Sequence, residues 1–207
     1  MQVGFCIPGE SMRKVDPEKH QAKLQHILEA AVACFAEKGF RGTSTNEICA
    51  AAGMSPGNLF HYFPNKQAVI EAIVEEDRRE MSERFAQLAE EPDAIVAIEQ
   101  LAKGLLKQCA DPVYAKIGVE VVAESMRNPE MATLFAASEA SIKGDLVALL
   151  RRGIAQGQID TALDPKIAAT WLLALIDGAV SRSVLDRDFK LKAYTPTLMR
   201  MIRRFLE

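Results

Sequence analysis

Several features that would place this chain quickly are scarce or missing. Among 207 residues there are four cysteines, at 6, 34, 49 and 109, with no C-x-x-C pair and no short Cys/His cluster. That pattern offers no ligand set of the kind that binds zinc, and free thiols in a reducing cytoplasm are the simplest reading. The three histidines (His20, His26, His61) are preceded three residues earlier by Pro17, Lys23 and Asn58, so the Glu-x-x-His pattern of a di-iron bundle is absent. No metal and no cofactor is expected. Long apolar runs are also lacking: the longest nearly apolar stretch, 167–180, spans 14 residues and includes Thr170 and Asp177. A bilayer span needs roughly 20 residues, so no membrane partner is expected. The opening residues carry an apolar patch without a basic leading region, so no export signal is expected there. Residues 1–15 are expected to be a flexible leader, with Met12 as the natural start. There is no internal repeat and no low-complexity tract.

What is present is a globular composition, 49% hydrophobic and 26% charged. The net charge of −3 is unevenly spread, because residues 1–66 hold seven Lys/Arg against six Asp/Glu and the rest holds 18 against 22. Nucleic acid is therefore not excluded as a partner of the first part.

The periodicity is helical almost throughout. Leu24, Ile27, Leu28, Ala31 and Phe35 form one apolar face of a helix over about 20–38, stopped by Gly39. Ser44-Thr45-Asn46-Glu47 matches a capping box, which opens a short second helix ending at Gly53. Ser55 caps a third helix with Pro56 in its first turn, and Pro64 ends it. Asn65 caps a longer fourth helix reaching about residue 90. Breaks at Pro92, Asp111-Pro112, Asn128-Pro129, Gly157, Asp164-Pro165 and Thr195-Pro196 cut the remainder into five more. The expected fold is all-α with about nine helices and no sheet: a domain at 16–66 and a larger helical one at 67–207.

Two short helices joined by Gly53-Met54-Ser55, with a longer helix before them, have the spacing of a helix-turn-helix, whose second helix enters the major groove of DNA. From spacing alone an αα-corner competes equally. The same turn also matches G-x-S-x-G, the hydrolase nucleophile elbow, but that motif needs a strand before its serine, and 48–52 read as helix. No enzymatic activity is expected.

The residues from Ala30 to Val69 add more. Ala30-Ala31, Phe35-Ala36-Glu37-Lys38-Gly39-Phe40, Thr43-Ser44-Thr45, Ile48-Cys49-Ala50-Ala51-Ala52-Gly53-Met54-Ser55, Gly57-Asn58-Leu59-Phe60-His61-Tyr62-Phe63 and Asn65-Lys66 run without gaps in a pattern that resembles the TetR family of bacterial transcription regulators. The resemblance implies a double-stranded DNA operator, a homodimer, a small-molecule effector and a cytoplasmic location. It implies phosphate contacts from Ser44, Thr45, Ser55 and Lys66, and base reading by Pro56, Gly57, Asn58 and His61, with Asn46 beside them. Asn58 is the best base reader, because an amide pairs with adenine N6 and N7. The family usually has tyrosine where Phe60 stands and histidine where Tyr62 stands. Tyr62 thus becomes the expected phosphate contact, and Leu59, Phe60 and Phe63 are expected in the core.

The C-terminal part resembles the family only in helix pattern. Its penultimate segment is apolar nearly all round, so one side is expected to meet a second copy. The expected dimer residues are Trp171, Leu175, Ala179, Leu198, Met201, Ile202 and Phe205. Phe85, Cys109, Tyr114, Glu120, Glu124, Met126, Phe135 and Asp177 are the expected effector contacts, a largely apolar set in which a carboxylate would favour a lipophilic cation. The reading is a ligand-responsive repressor. An activator of the same fold, a helical enzyme and a ligand-binding or adaptor module are its alternatives.

Overall fold

The computed structural model describes residues 16–207; the leader and start site expected within 1–15 lie outside the described residues. Among the described residues there are nine helices and no strand: α1 Pro17–Gly42, α2 Thr45–Ala51, α3 Pro56–Tyr62, α4 Lys66–Ala89, α5 Ala94–Gln108, α6 Pro112–Ser125, α7 Pro129–Ala155, α8 Pro165–Leu185 and α9 Leu191–Leu206.

Local chemistry sets most of these bounds. Asp93, Asp111, Asn128 and Asp164 each stand at an N-cap and accept hydrogen bonds from first-turn amides of α5, α6, α7 and α8, satisfying donors that have no partner inside the helix. Proline follows three of these caps, where its missing N–H costs nothing. Gly39 breaks α1 at φ 73, where the sequence places the stop, although one further turn continues to Gly42.

One boundary differs. The expected break at Thr195-Pro196 is inside α9, which begins at Leu191. Pro196 is the sixth residue of the helix, so it forfeits the bond an amide there would make to the Lys192 carbonyl, and the turn before it is held from the side. Thr195 Oγ1 donates to the Leu191 carbonyl at 2.7 Å, and Tyr194 stacks on Phe189 with 4.3 Å between ring centroids.

Two hydrophobic cores result. The first joins Ile27, Phe35, Ile48, Leu59 and Ile70 with Ile117 of α6 and Met131 of α7, so it is closed from both sides of residue 66. The second gathers the far half of α4 with α5, α7, α8 and α9 around Leu101, Leu150, Leu172 and Ile202. Arg203 of α9 donates to Glu99 of α5 at 2.8 Å, fixing the last helix to this body. α6 lies against α1, α7 and α8, and so touches both parts of the molecule.

α8 is longer than the 14-residue apolar run in the sequence. At 21 residues, with an 18-residue stretch of mean hydropathy 1.4, it is long and apolar enough to cross a membrane by length and composition. Its Ala168, Ala169, Leu172 and Ile176 pack into the second core, while Ile167, Trp171 and Leu185 on other sides are exposed.

Candidate nucleic-acid interface

The segment 44–66 is built from two helices too short to stand alone, since isolated helices below about 12–15 residues are marginal in water. Capping and burial hold them. Ser44 Oγ accepts the Glu47 N–H at 3.3 Å, and Glu47 Oε2 accepts the Ser44 N–H at 2.7 Å, completing the capping box read from the sequence. Gly53 turns the chain at φ +60. Ser55 Oγ then accepts the Asn58 N–H at 3.4 Å to start α3. Leu59 and Phe63 are buried beneath α3, an anchorage whose loss would cost roughly 2–5 kcal/mol per large side chain.

At 100° per residue, Gly57 and His61 fall on the side of α3 opposite Leu59 and Asn58 on the flank next to Gly57, and all three are exposed, as are Pro56, Ser55 and Asn46. Thr45 and Tyr62 are half-buried, the Tyr62 ring stacked on His20 of α1 with centroids 5.0 Å apart. A rigid helix thus presents an amide and an imidazole outward, which is the equipment for reading base edges.

Three details differ from expectation. Phe60 is 48% exposed rather than in the core, because it lies on the flank of α3, between the anchored side and the outer side. The Ser44 hydroxyl donates to Glu47 Oε2 at 2.9 Å, so its proton is used inside the capping box instead of being held out to a phosphate. The third concerns Lys66. Its ammonium donates to the Phe40 carbonyl at 2.6 Å and to the Thr43 carbonyl at 2.8 Å, and it lies 4.4 Å from the centre of the Phe40 ring. Burial pulls its pKa below the ordinary lysine value, against the opposing charges of Glu124 and Glu47. Two of its three protons are committed to the end of α1, so this lysine is a brace rather than a free charge facing phosphate.

The expected effector residues also separate. Glu120 Oε1 accepts the Phe40 N–H at 2.6 Å, and Glu124, 3% exposed, pairs with Arg41 at 3.2 Å. Both carboxylates are engaged with α1, not with an empty space. Met126, at the C-cap of α6, is 83% exposed and lines nothing, while Phe85 is packed into the second core. Cys109 and Phe135 are half-buried; Tyr114 and Asp177 keep solvent contact. Asp177 is nevertheless crowded enough that burial raises its carboxyl pKa, and burial likewise raises that of Asp77. Glu139 is pushed up by burial, then by the charges of Asp177 and Asp77, so a carboxylate of α7 feels one from α8 and one from α4. The sequence reading missed Asp77, one of six consecutive charged residues at 75–80, and Glu139, a lone carboxylate among small residues; neither carries a local mark. Of the expected dimer residues, Trp171 and Met201 are exposed, Leu175, Ala179, Leu198 and Phe205 are half-buried, and Ile202 is fully enclosed in its own chain's core and unavailable to a partner.

Comparison with known proteins places this architecture. Residues 27–73 match the model of the bacterial regulatory proteins of the tetR family, and residues 97–207 match that of the BetI-type transcriptional repressor C-terminal domain. The HTH-type transcriptional regulator UidR of Escherichia coli K12 is 28% identical over 162 residues, covering 78% of this chain and 81% of its own. Salmonella enterica GusR superposes with a TM-score of 0.77 at 32% identity, over 94% of this chain and 98% of that one. Bacillus subtilis FadR, solved in complex with stearoyl-CoA, shares the fold with a TM-score of 0.77 at 21% identity, over 88% and 99% of the two chains. With its helix-turn-helix at 44–63 and its all-helical body, the chain belongs to the tetR family of helix-turn-helix transcription regulators.

Proposed function

We propose that the protein is a homodimeric repressor that binds a pseudo-palindromic operator in the cytoplasm and releases it when a small molecule enters the helical body. The observation that carries this reading is α3, anchored underneath by Leu59 and Phe63 while Asn58 and His61 face outward. Phosphate contacts fall to Thr45, Ser55 and Tyr62 at the edges of that helix pair, and base edges to Gly57, Asn58 and His61.

One helix-turn-helix reads a half-site, so a two-fold pair of chains is needed to read a palindrome. The free apolar side of α8, with Ile167, Trp171 and Leu185, and Met201 on α9 support pairing through these two helices. For the effector, the carboxylates of Asp77, Glu139 and Asp177, with Cys109 close enough to feel two of them, favour a molecule with an apolar body and a positive charge. Such a ligand represses or releases only through its differential affinity for the two conformers.

The test is a gel shift with duplex DNA flanking the protein's own gene. A complex that survives excess scrambled competitor supports the reading. Equal competition by scrambled and flanking DNA, repeated with duplexes tiling the neighbouring genes, contradicts it.

A further inference from the structure

The chain enters the helix-turn-helix through residues 40–43 and leaves it through Pro64, Asn65 and Lys66, and one polar node ties both ends to α6. From the exit side, Lys66 reaches back to the carbonyls of Phe40 and Thr43. From α6, Glu120 takes the Phe40 N–H at 2.6 Å, so both polar groups of one peptide segment are held by side chains from different helices. One turn further along α6, Glu124 holds the Arg41 guanidinium. The side chain of Arg41 is 66% exposed, whereas Glu124 is enclosed. A carboxylate in that position is costly without its partner, so Arg41 and α6 keep company in any conformer that keeps Glu124 buried.

Backbone geometry supports the same contact. Gly39 adopts φ +73 with ψ 166, a region that is essentially glycine's alone, and a Cβ there would lie 2.8 Å from Glu120 Oε1. The bend lets the carboxylate approach the Phe40 amide closely. These contacts are directional and polar, unlike the hydrophobic surface on which α1 and α6 otherwise meet, and they act on the last turn of α1, just ahead of the Ser44 cap of α2. α6 also packs on α7 and α8.

Resting on the DNA-binding reading above, we propose that Glu120 and Glu124 are positioning residues for operator recognition. They fix the direction in which the α2–α3 unit projects from the body, so that a shift of α6 is passed to α3 through the Phe40–Arg41 segment.

The full chain and its variants test this. Duplexes selected from a random pool by the unmutated protein serve as cognate DNA, with scrambled duplexes as control, and hydrogen exchange of the Phe40 N–H and the α6 amides is followed with each. Coupling between sites is reciprocal, so cognate DNA slows exchange along α6 as well as in α3. Glu120→Ala and Glu124→Gln each abolish the α6 response and lower the cognate-to-scrambled affinity ratio roughly fivefold or more. Glu120→Gln keeps a carbonyl acceptor for the Phe40 N–H and retains both. Should Glu120→Ala not fold, the isosteric Glu124→Gln carries the test. Variants with the unmutated α6 response and ratio overturn the proposal, as does an equal loss on both DNAs together with lowered melting temperature, the mark of a merely structural pair. If the unmutated protein selects no duplex at all, the DNA-binding reading fails first.

Discussion

Lys66 Nζ donates to the Phe40 carbonyl at 2.6 Å while lying against the face of the same residue's ring, joining the first turn of α4 to the last turn of α1 across 26 residues of sequence. The contact closes the helix-turn-helix into a loop whose two ends cannot separate without breaking a charged hydrogen bond.

Replacing Lys66 by methionine, which keeps the stem, is therefore expected to lower stability by roughly 1.5–3 kcal/mol, the usual worth of hydrogen bonds to a charged group. The slope of log DNA affinity against log salt stays unchanged, because no phosphate contact is lost; a phosphate-bound lysine would contribute about 0.9 per charge. Thermal melts and a salt series on the same variant check both halves.

A pH effect follows from Glu47. The Lys38 ammonium at 2.5 Å, followed by the Ser44 N–H and hydroxyl, pulls its carboxyl from 4.5 down to about 2. The folded value lies below the unfolded one, so the contribution to stability is fully present above about pH 4.5 and is lost as the pH falls toward 2. Glu47→Gln is expected to melt earlier than the unmutated protein at neutral pH and to lose less stability over that acid range. Melting curves by circular dichroism at steps from pH 7 to pH 2 measure it, and parallel pH profiles for the two proteins would contradict it.

Trp171 is 61% exposed in the single chain and supports none of its own core. Trp171→Glu is thus expected to leave each chain folded and to turn dimers into monomers, since a charge buried at a subunit contact without a partner costs several kcal/mol. Light scattering reads the mass and operator binding falls with it. A dimeric mass for the variant contradicts the assignment of this face.

Helix starts were legible in the sequence because a cap is local: Ser44 with Glu47, Ser55 with Asn58, and Asn65 with Ala68 lie three residues apart. The outward residues of α3 followed from the same local register once Leu59 and Phe63 were placed inside. Pro196 misled because proline disfavours a helix interior without forbidding it, and α9 runs through this one despite the lost backbone bond. Lys66 and Glu120 reach Phe40 across 26 and 80 residues, and no local pattern encodes such partners. The i, i+4 spacing of Glu120 and Glu124 did signal one shared face, yet spacing does not say whether that face meets a ligand or another helix. Apolar composition has the same limit, which is why Phe85 and Met126 were grouped although one is enclosed and the other bare.

The central claim is that the outer side of α3 reads DNA sequence, and Asn58→Ala tests it most directly, since Asn58 is exposed and only its backbone N–H takes part in the helix cap. Binding of the unmutated and variant proteins to cognate and scrambled duplexes at fixed salt is the measurement. The variant is expected to lose about 1–3 kcal/mol on cognate DNA and far less on scrambled DNA, flattening the preference at one position per half-site. Equal affinities of the two proteins for the cognate duplex, with the base preference intact at every position, would contradict the placement of α3 in the groove.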